Sequence, residues 1–113
     1  MLKEINTIKG DARSYSVNDN IKKYSLTDVG FIKTKRGGYV LQRSLDPMDP
    51  YTAKKKLKVA IDSNLKLLDM STTDASGLHA IDIYKKGGDQ EAIEQYNFII
   101  KNLIDREILK INE

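Results

Sequence analysis

The side chains in this 113-residue chain that could do chemistry are few, and their types narrow the options. There is no cysteine and only one histidine. That removes thiol nucleophiles, sulfur carriage, disulfides and thiolate metal sites, together with multi-histidine metal sites and Cys–His pairs. His79 could still act as an acid or base near its ordinary titration range. Asp82, the carboxylate close to it in sequence, would point to the opposite face of a regular strand, so an exposed or hydrogen-bonded structural histidine is the plainer reading. Arg43 could hold a carboxylate ligand through its fork of donors, with Tyr24 and Asp28 as further polar groups of a ligand site. Its plainer alternatives are an ion pair with Asp28 or Asp46, or a place at a sheet edge with its head in water.

Two further groupings concern anions. Lys85, Lys86, Gly87 and Gly88 stand just before an expected helix. Backbone N–H groups at a helix start and two lysines suit an anion such as phosphate or carboxylate. The spacing matches neither the P-loop nor the dinucleotide fingerprint, and Asp89 would put its own carboxylate where an anion would sit. Lys54, Lys55, Lys56 and Lys58 could meet a nucleic-acid backbone, and Tyr15, Tyr24, Tyr39 and Tyr51 lie in the same basic half. No stretch matches the aromatic motifs of an RNA-binding sheet, and lysines on an edge strand also serve to block edge pairing. Nucleic acid is therefore the weaker alternative. Paired carboxylates, a Ser-His-Asp order with a supporting motif and metal-ligand spacing are all missing from the sequence.

These side chains must be positioned by elements of two kinds. From Asp89 to about Ile111, the residues Ile93, Tyr96, Ile100, Leu103, Ile104, Ile108 and Ile111 recur at three and four, which predicts one long amphipathic helix capped by Asp89. Upstream, Gly, Pro, Asn and Asp cut the chain into strand-length pieces. Strands are expected around Ile5 and Ile8, at Ala12–Val17, Val29–Thr34, Tyr39–Leu45, from Leu57 to Ile61, at Leu65–Met70 and at Leu78–Tyr84. Lys35-Arg36-Gly37-Gly38 marks a hairpin turn. Asn18-Asp19-Asn20 and Asp62-Ser63-Asn64 are read as turns, and Asp46-Pro47-Met48-Asp49-Pro50 and Ser71–Gly77 as loops. In the Leu57 strand, Leu57, Val59 and Ile61 share one face and Lys56, Lys58 and Ala60 the other. The expected architecture is a single α+β domain over residues 1–113: about seven short, mostly antiparallel strands in two β-sheets packed against one C-terminal helix.

Composition agrees with a globular domain, at 40% hydrophobic and 31% charged residues. The net charge of +3 is unevenly spread: residues 1–60 carry a balance of +7 and residues 61–113 one of −4. A basic front half could attract an anionic partner, or the halves could compensate across the fold. The opening MLKEINTIKG lacks the apolar core of a secretion signal, and no run approaches the ~20 apolar residues of a membrane helix. A cytoplasmic location is expected.

Three segments carry a resemblance: Lys22-Lys23-Tyr24-Ser25-Leu26-Thr27-Asp28-Val29-Gly30-Phe31, Leu41-Gln42-Arg43-Ser44-Leu45-Asp46-Pro47, and Gln95-Tyr96-Asn97-Phe98-Ile99-Ile100-Lys101-Asn102-Leu103-Ile104. They resemble a small uncharacterised family of low-GC Gram-positive bacteria, over nearly the whole chain. The resemblance implies two sheets on a single helix and a place in amino-acid metabolism, beside genes that include a cysteine desulfurase. It supplies no catalytic residues. A chain without cysteine could not itself carry a persulfide in such a setting.

The expectation is thus an accessory protein of amino-acid metabolism, without cofactor and without catalysis of its own, that binds a small metabolite or a metabolic-enzyme partner. Arg43, Tyr24 and Asp28 are the expected ligand-binding residues. The oligomeric state is left open, although an exposed edge strand could pair two copies.

Overall fold

Alternation of apolar and polar residues builds the main sheet. The computed structural model describes residues 2–8, 10–45, 55–85 and 90–112. Strands β1 (Ser14–Val17), β2 (Ile32–Lys33), β3 (Tyr39–Ser44), β4 (Lys55–Ile61), β5 (Leu68–Asp74) and β6 (Leu109–Asn112) are joined by helices α1 (Lys23–Val29) and α2 (Gln90–Asp105). Four strands form an antiparallel sheet in the order β2-β3-β4-β5, and β1 and β6 form a two-stranded ribbon. Leu57, Val59 and Ile61 are buried, whereas Lys56, Lys58 and Ala60 stand on the other face, as the alternation requires. The fold is therefore the expected α+β arrangement of two antiparallel sheets with a C-terminal helix.

The β2–β3 hairpin turns where the glycines predict. Gly37 takes a φ of +90°, a conformation costly for other residues. Gly38 serves a different need, since a Cβ there would lie 2.9 Å from the Ile61 carbonyl oxygen. Along β5, Lys3 exchanges backbone hydrogen bonds with Leu68, the Asp74 N–H donates to the His79 carbonyl, and the Ile81 N–H donates to the Thr72 carbonyl. The free edge of β5 is thereby partly covered.

Several boundaries differ from the expectation. The expected first strand is reduced to isolated bridges, Lys3 with Leu68 and Asn6 with Tyr15. Ser71–Asp74 belongs to β5 rather than to a loop. Leu78–Tyr84 is not a strand, and a single bridge between Thr73 and Ala80 is what remains of it. The count among the described residues is six strands, with two helices rather than one.

Helix α1 replaces the start of the expected Val29–Thr34 strand. Leu26 and Val29 are its buried residues, and Gly30, at a φ of 107°, closes it. Gly30 donates to the Thr27 carbonyl and Phe31 to that of Leu26, a helix-ending pair of bonds that needs a left-handed residue. At the far end, α2 stops at Asp105 rather than continuing to Ile111. Glu107, with a φ of 59°, makes the same pair of bonds: its own N–H to Ile104 and the Ile108 N–H to Leu103. Ile108 and Ile111 thus leave the helical stripe, and β6 pairs with β1, Val17 opposite Leu109 and Ser14 opposite Asn112. The Asp46–Pro50 loop and the Asp89 cap lie outside the described residues.

Ala92, Tyr96, Ile99, Ile100 and Leu103 of α2 join Tyr15, Leu26, Leu41, Leu57, Val59, Ile61, Leu68 and Leu109 in one contiguous core. Among the described residues no helix is long and apolar enough to cross a membrane.

Candidate functional site

The ribbon β1–β6 is short and has two dissimilar faces. Tyr15, Val17 and Leu109 are buried, so the alternate residues Ser14, Ser16, Lys110 and Asn112 share the opposite face. That polar face borders a cavity of about 650 Å3, to which it gives Ser16, Lys110 and Asn112. The N-terminal segment gives Glu4 and Ile5, the turn after β1 gives Asn18, Asp19 and Ile21, and the β4–β5 turn gives Asn64, Leu65 and Lys66.

Both turns are held in place locally. Asn18 accepts the Asn20 N–H on its side chain at 2.8 Å and the Ile21 N–H on its carbonyl, which fixes the loop that presents Asp19. In the β4–β5 turn, Asp62 Oδ1 accepts the N–H groups of Lys66 at 2.7 Å and Leu67 at 2.8 Å. Leu65 sits between with a φ of 59°, a strained conformation for a leucine that such anchoring must sustain.

Electrostatically the cavity is of mixed sign. Lys110 Nζ lies 3.3 Å from Asp19 Oδ2, with side chains 45% and 91% exposed. Lys66 and Glu4 supply a second charge of each sign. The Ser16 hydroxyl is buried without a hydrogen-bond partner, which is uncommon for an interior polar group. A site so lined can bind and orient a small polar molecule, and among its described residues there is no base–nucleophile pair.

The other dense polar cluster is enclosed. Asp11, its side chain 5% exposed, accepts hydrogen bonds from the hydroxyls of Tyr96 at 2.7 Å and Tyr15 at 3.2 Å. Its other oxygen accepts the Arg13 N–H at 2.9 Å. Arg13 lies over the Tyr15 ring, 5.8 Å from its centroid, and donates to Asn97 of α2 at 3.2 Å. Burial, reinforced by the Asp11 carboxylate, pushes the Tyr15 phenol up to about 12. Tyr96 is raised further by burial and by its bond to Asp11, and Tyr84, edge-on to Tyr96, is raised chiefly by burial. The Tyr15 and Tyr96 phenols remain protonated donors to Asp11, and the Tyr96 bond ties the loop before β1 to α2.

A family model described as "putative amino acid metabolism", DUF1831, matches residues 1–110. The chain belongs to this family. A crystal structure of a DUF1831 family protein from Lactobacillus plantarum is similar, with a TM-score of 0.90 and 35% sequence identity over 98% of this chain and 97% of that one. That neighbour comes from a low-GC Gram-positive bacterium, in keeping with the resemblance read from the sequence. No curated protein gives a significant match.

Within this DUF1831 fold the three expected ligand-binding residues lie together at α1 and β3, outside the cavity lining. Tyr24 and Asp28 lie one helical turn apart on α1, Tyr24 at 68% exposure. Arg43 donates from Nη2 to the Val29 carbonyl at 2.7 Å, a C-terminal helix oxygen suited to a cation; Asp46, one of the two carboxylates expected to pair with it, lies outside the described residues. None of the three lines the mixed-charge cavity. Lys85 is exposed, while Lys86, Gly87 and Gly88 lie outside the described residues. His79 is exposed in the turn after β5, where its carbonyl accepts the Asp74 N–H. Lys55, Lys56 and Lys58 belong to an inner strand, so they do not guard an edge. Tyr15 and Tyr39 are buried and present no ring for base stacking.

In the sequence the cavity residues read only as parts of turns, strands and a helix. Asn18-Asp19 and Asn64 read as turn chemistry, and Lys110 read as the polar side of a helix. A signal was present in the pairing of Asx-rich turns with short flanking strands, but only the β1–β6 register brings them together.

Proposed function

We propose that this member of the DUF1831 family serves amino-acid metabolism by binding a small metabolite in the cavity between the β1–β6 ribbon and the β4–β5 turn, without catalysing a reaction on it. One observation carries the reading: a volume of about 650 Å3, within the roughly 300–1,000 Å3 usual for small-molecule sites, lined by charges of both signs. His79, the one imidazole, is not among the lining residues, so no acid–base group of its kind faces a bound molecule. A metabolite is favoured over an enzyme partner because the lining is concave and includes side chains of both signs.

A thermal-shift screen of amino acids and related metabolites against the full chain tests the reading. The expected result is a rise in Tm with at least one metabolite, abolished by Lys110→Met. If no metabolite raises Tm, the reading is rejected. The same screen separates the alternative at Arg43, Tyr24 and Asp28: there, Arg43→Lys would weaken binding while Lys110→Met would not.

A further inference from the structure

The ion pair at the mouth of the cavity shows which class of metabolite would fit. Lys110 and Asp19 satisfy one another at 3.3 Å, but both are well exposed, and such pairs contribute little. A molecule that offers its own carboxylate to Lys110 and its own ammonium to Asp19 could replace that contact on both sides at once. Free α-amino acids carry those two groups on a single carbon. A lone carboxylic acid or a lone amine would satisfy one partner and leave the other facing solvent.

We infer that the cavity takes a free α-amino acid with an uncharged aliphatic side chain, its carboxylate at Lys110 and Lys66 and its ammonium at Asp19 and Glu4. This rests on the proposed metabolite-binding reading and narrows it. Among the described lining residues two side chains are cationic and two anionic, so a zwitterion keeps that set balanced, whereas a charged side chain would add a charge without a counterpart in it. Ser16, whose buried hydroxyl has no hydrogen-bond partner, stands beside Lys110 as its cross-strand neighbour. Apolar surface is at hand in Ile5, Ile21 and Leu65. The strained backbone of Leu65 is consistent with a residue held where a ligand needs it rather than where the chain prefers.

The test is calorimetric titration and amide NMR mapping of the full chain with leucine, isoleucine, valine and methionine. Isoamylamine, 4-methylvalerate, leucinamide, glutamate and lysine serve as comparisons. At least one aliphatic amino acid should bind and shift the amides of Ser16, Leu65 and Lys66. Loss of either charged end of leucine, Asp19→Asn or Lys110→Met should each weaken binding at least tenfold. These two side chains are exposed enough that the variants keep the fold, which circular dichroism verifies. Equal or tighter binding of the amine, the acid, the amide or a charged amino acid at these amides overturns the inference but leaves the metabolite reading standing. If no metabolite of the wider screen shifts these amides, both fall.

Discussion

Asp11 shows how one polar residue can organise a corner of this protein. Its carboxylate is nearly excluded from water, yet two phenols and a backbone N–H donate to it. Charge-assisted hydrogen bonds of this kind are stronger than neutral ones. Tyr96→Phe keeps the ring and its edge-on contact with Tyr84 but deletes the 2.7 Å bond. We expect a loss of about 1–3 kcal/mol in urea unfolding, and a change below about 0.5 kcal/mol would show that the bond contributes little to folding. The same cluster sets a pH dependence. Tyr15 ionises near 10.0 when unfolded and near 12 when folded. A raised folded-state value means its contribution is complete below pH 10 and fades as the pH climbs from 10 toward 12. Tyr84 and Tyr96 shift in the same direction. Unfolding free energy measured from pH 8 to 12 should therefore decline above pH 10, and less steeply in Tyr15→Phe. An equal slope in the variant would remove Tyr15 from the account.

At the scale of elements, the instructive event is the exit from α2. Ile93, Tyr96, Ile100, Leu103, Ile104, Ile108 and Ile111 all fit a helical stripe, and nothing in composition marks a stop, because Glu107 rather than glycine takes the left-handed position. Ile108 is then buried in the core beside Leu103, the hydrophobic contact that commonly accompanies this kind of ending. Glu107→Gly should relieve the strain and stabilise the protein by about 0.5–1 kcal/mol, after allowing for the greater freedom of glycine in the unfolded chain. A rise in Tm checks this; a fall would mean that the glutamate makes a favourable contact outweighing its backbone cost. The contrast explains what was legible. Where local chemistry and tertiary position agree, as in the Gly37 hairpin and the alternation of Leu57, Val59 and Ile61, the sequence led straight to the element. Helix α1 was missed because seven residues with a Leu26–Val29 pair carry too short a period to separate from a strand, although Gly30 marked its end. The candidate cavity was illegible for the same reason as β6: its walls come from both ends of the chain, and a helix drawn through Lys110 pointed that side chain elsewhere.

The whole molecule is closed by contacts between its extremities. The ribbon pairs Ser14 with Asn112 and Val17 with Leu109, and Lys3 and Asn6 link β5 to β1. Such distant pairings come late in folding, since the chain must lose the entropy of a very large loop before they contribute. A covalent link across the ribbon removes that entropy from the unfolded state. The chain has no cysteine of its own, so Ser14→Cys combined with Asn112→Cys would introduce a single pair of thiols with no competing partner. Residues directly opposite in an antiparallel pair lie about 4.5–5.5 Å apart at Cα, within the reach of a disulfide. Closing a loop of about 100 residues is worth at most ~4.7 kcal/mol in the chain-entropy account, and engineered bridges commonly deliver less. Oxidised protein should therefore resist urea better than the same protein reduced, by about 2–4 kcal/mol, with the Ser14 hydroxyl contact to the Asn112 carbonyl given up in both. Failure of the two thiols to join under mild oxidation would contradict the register on which both the ribbon and the cavity depend.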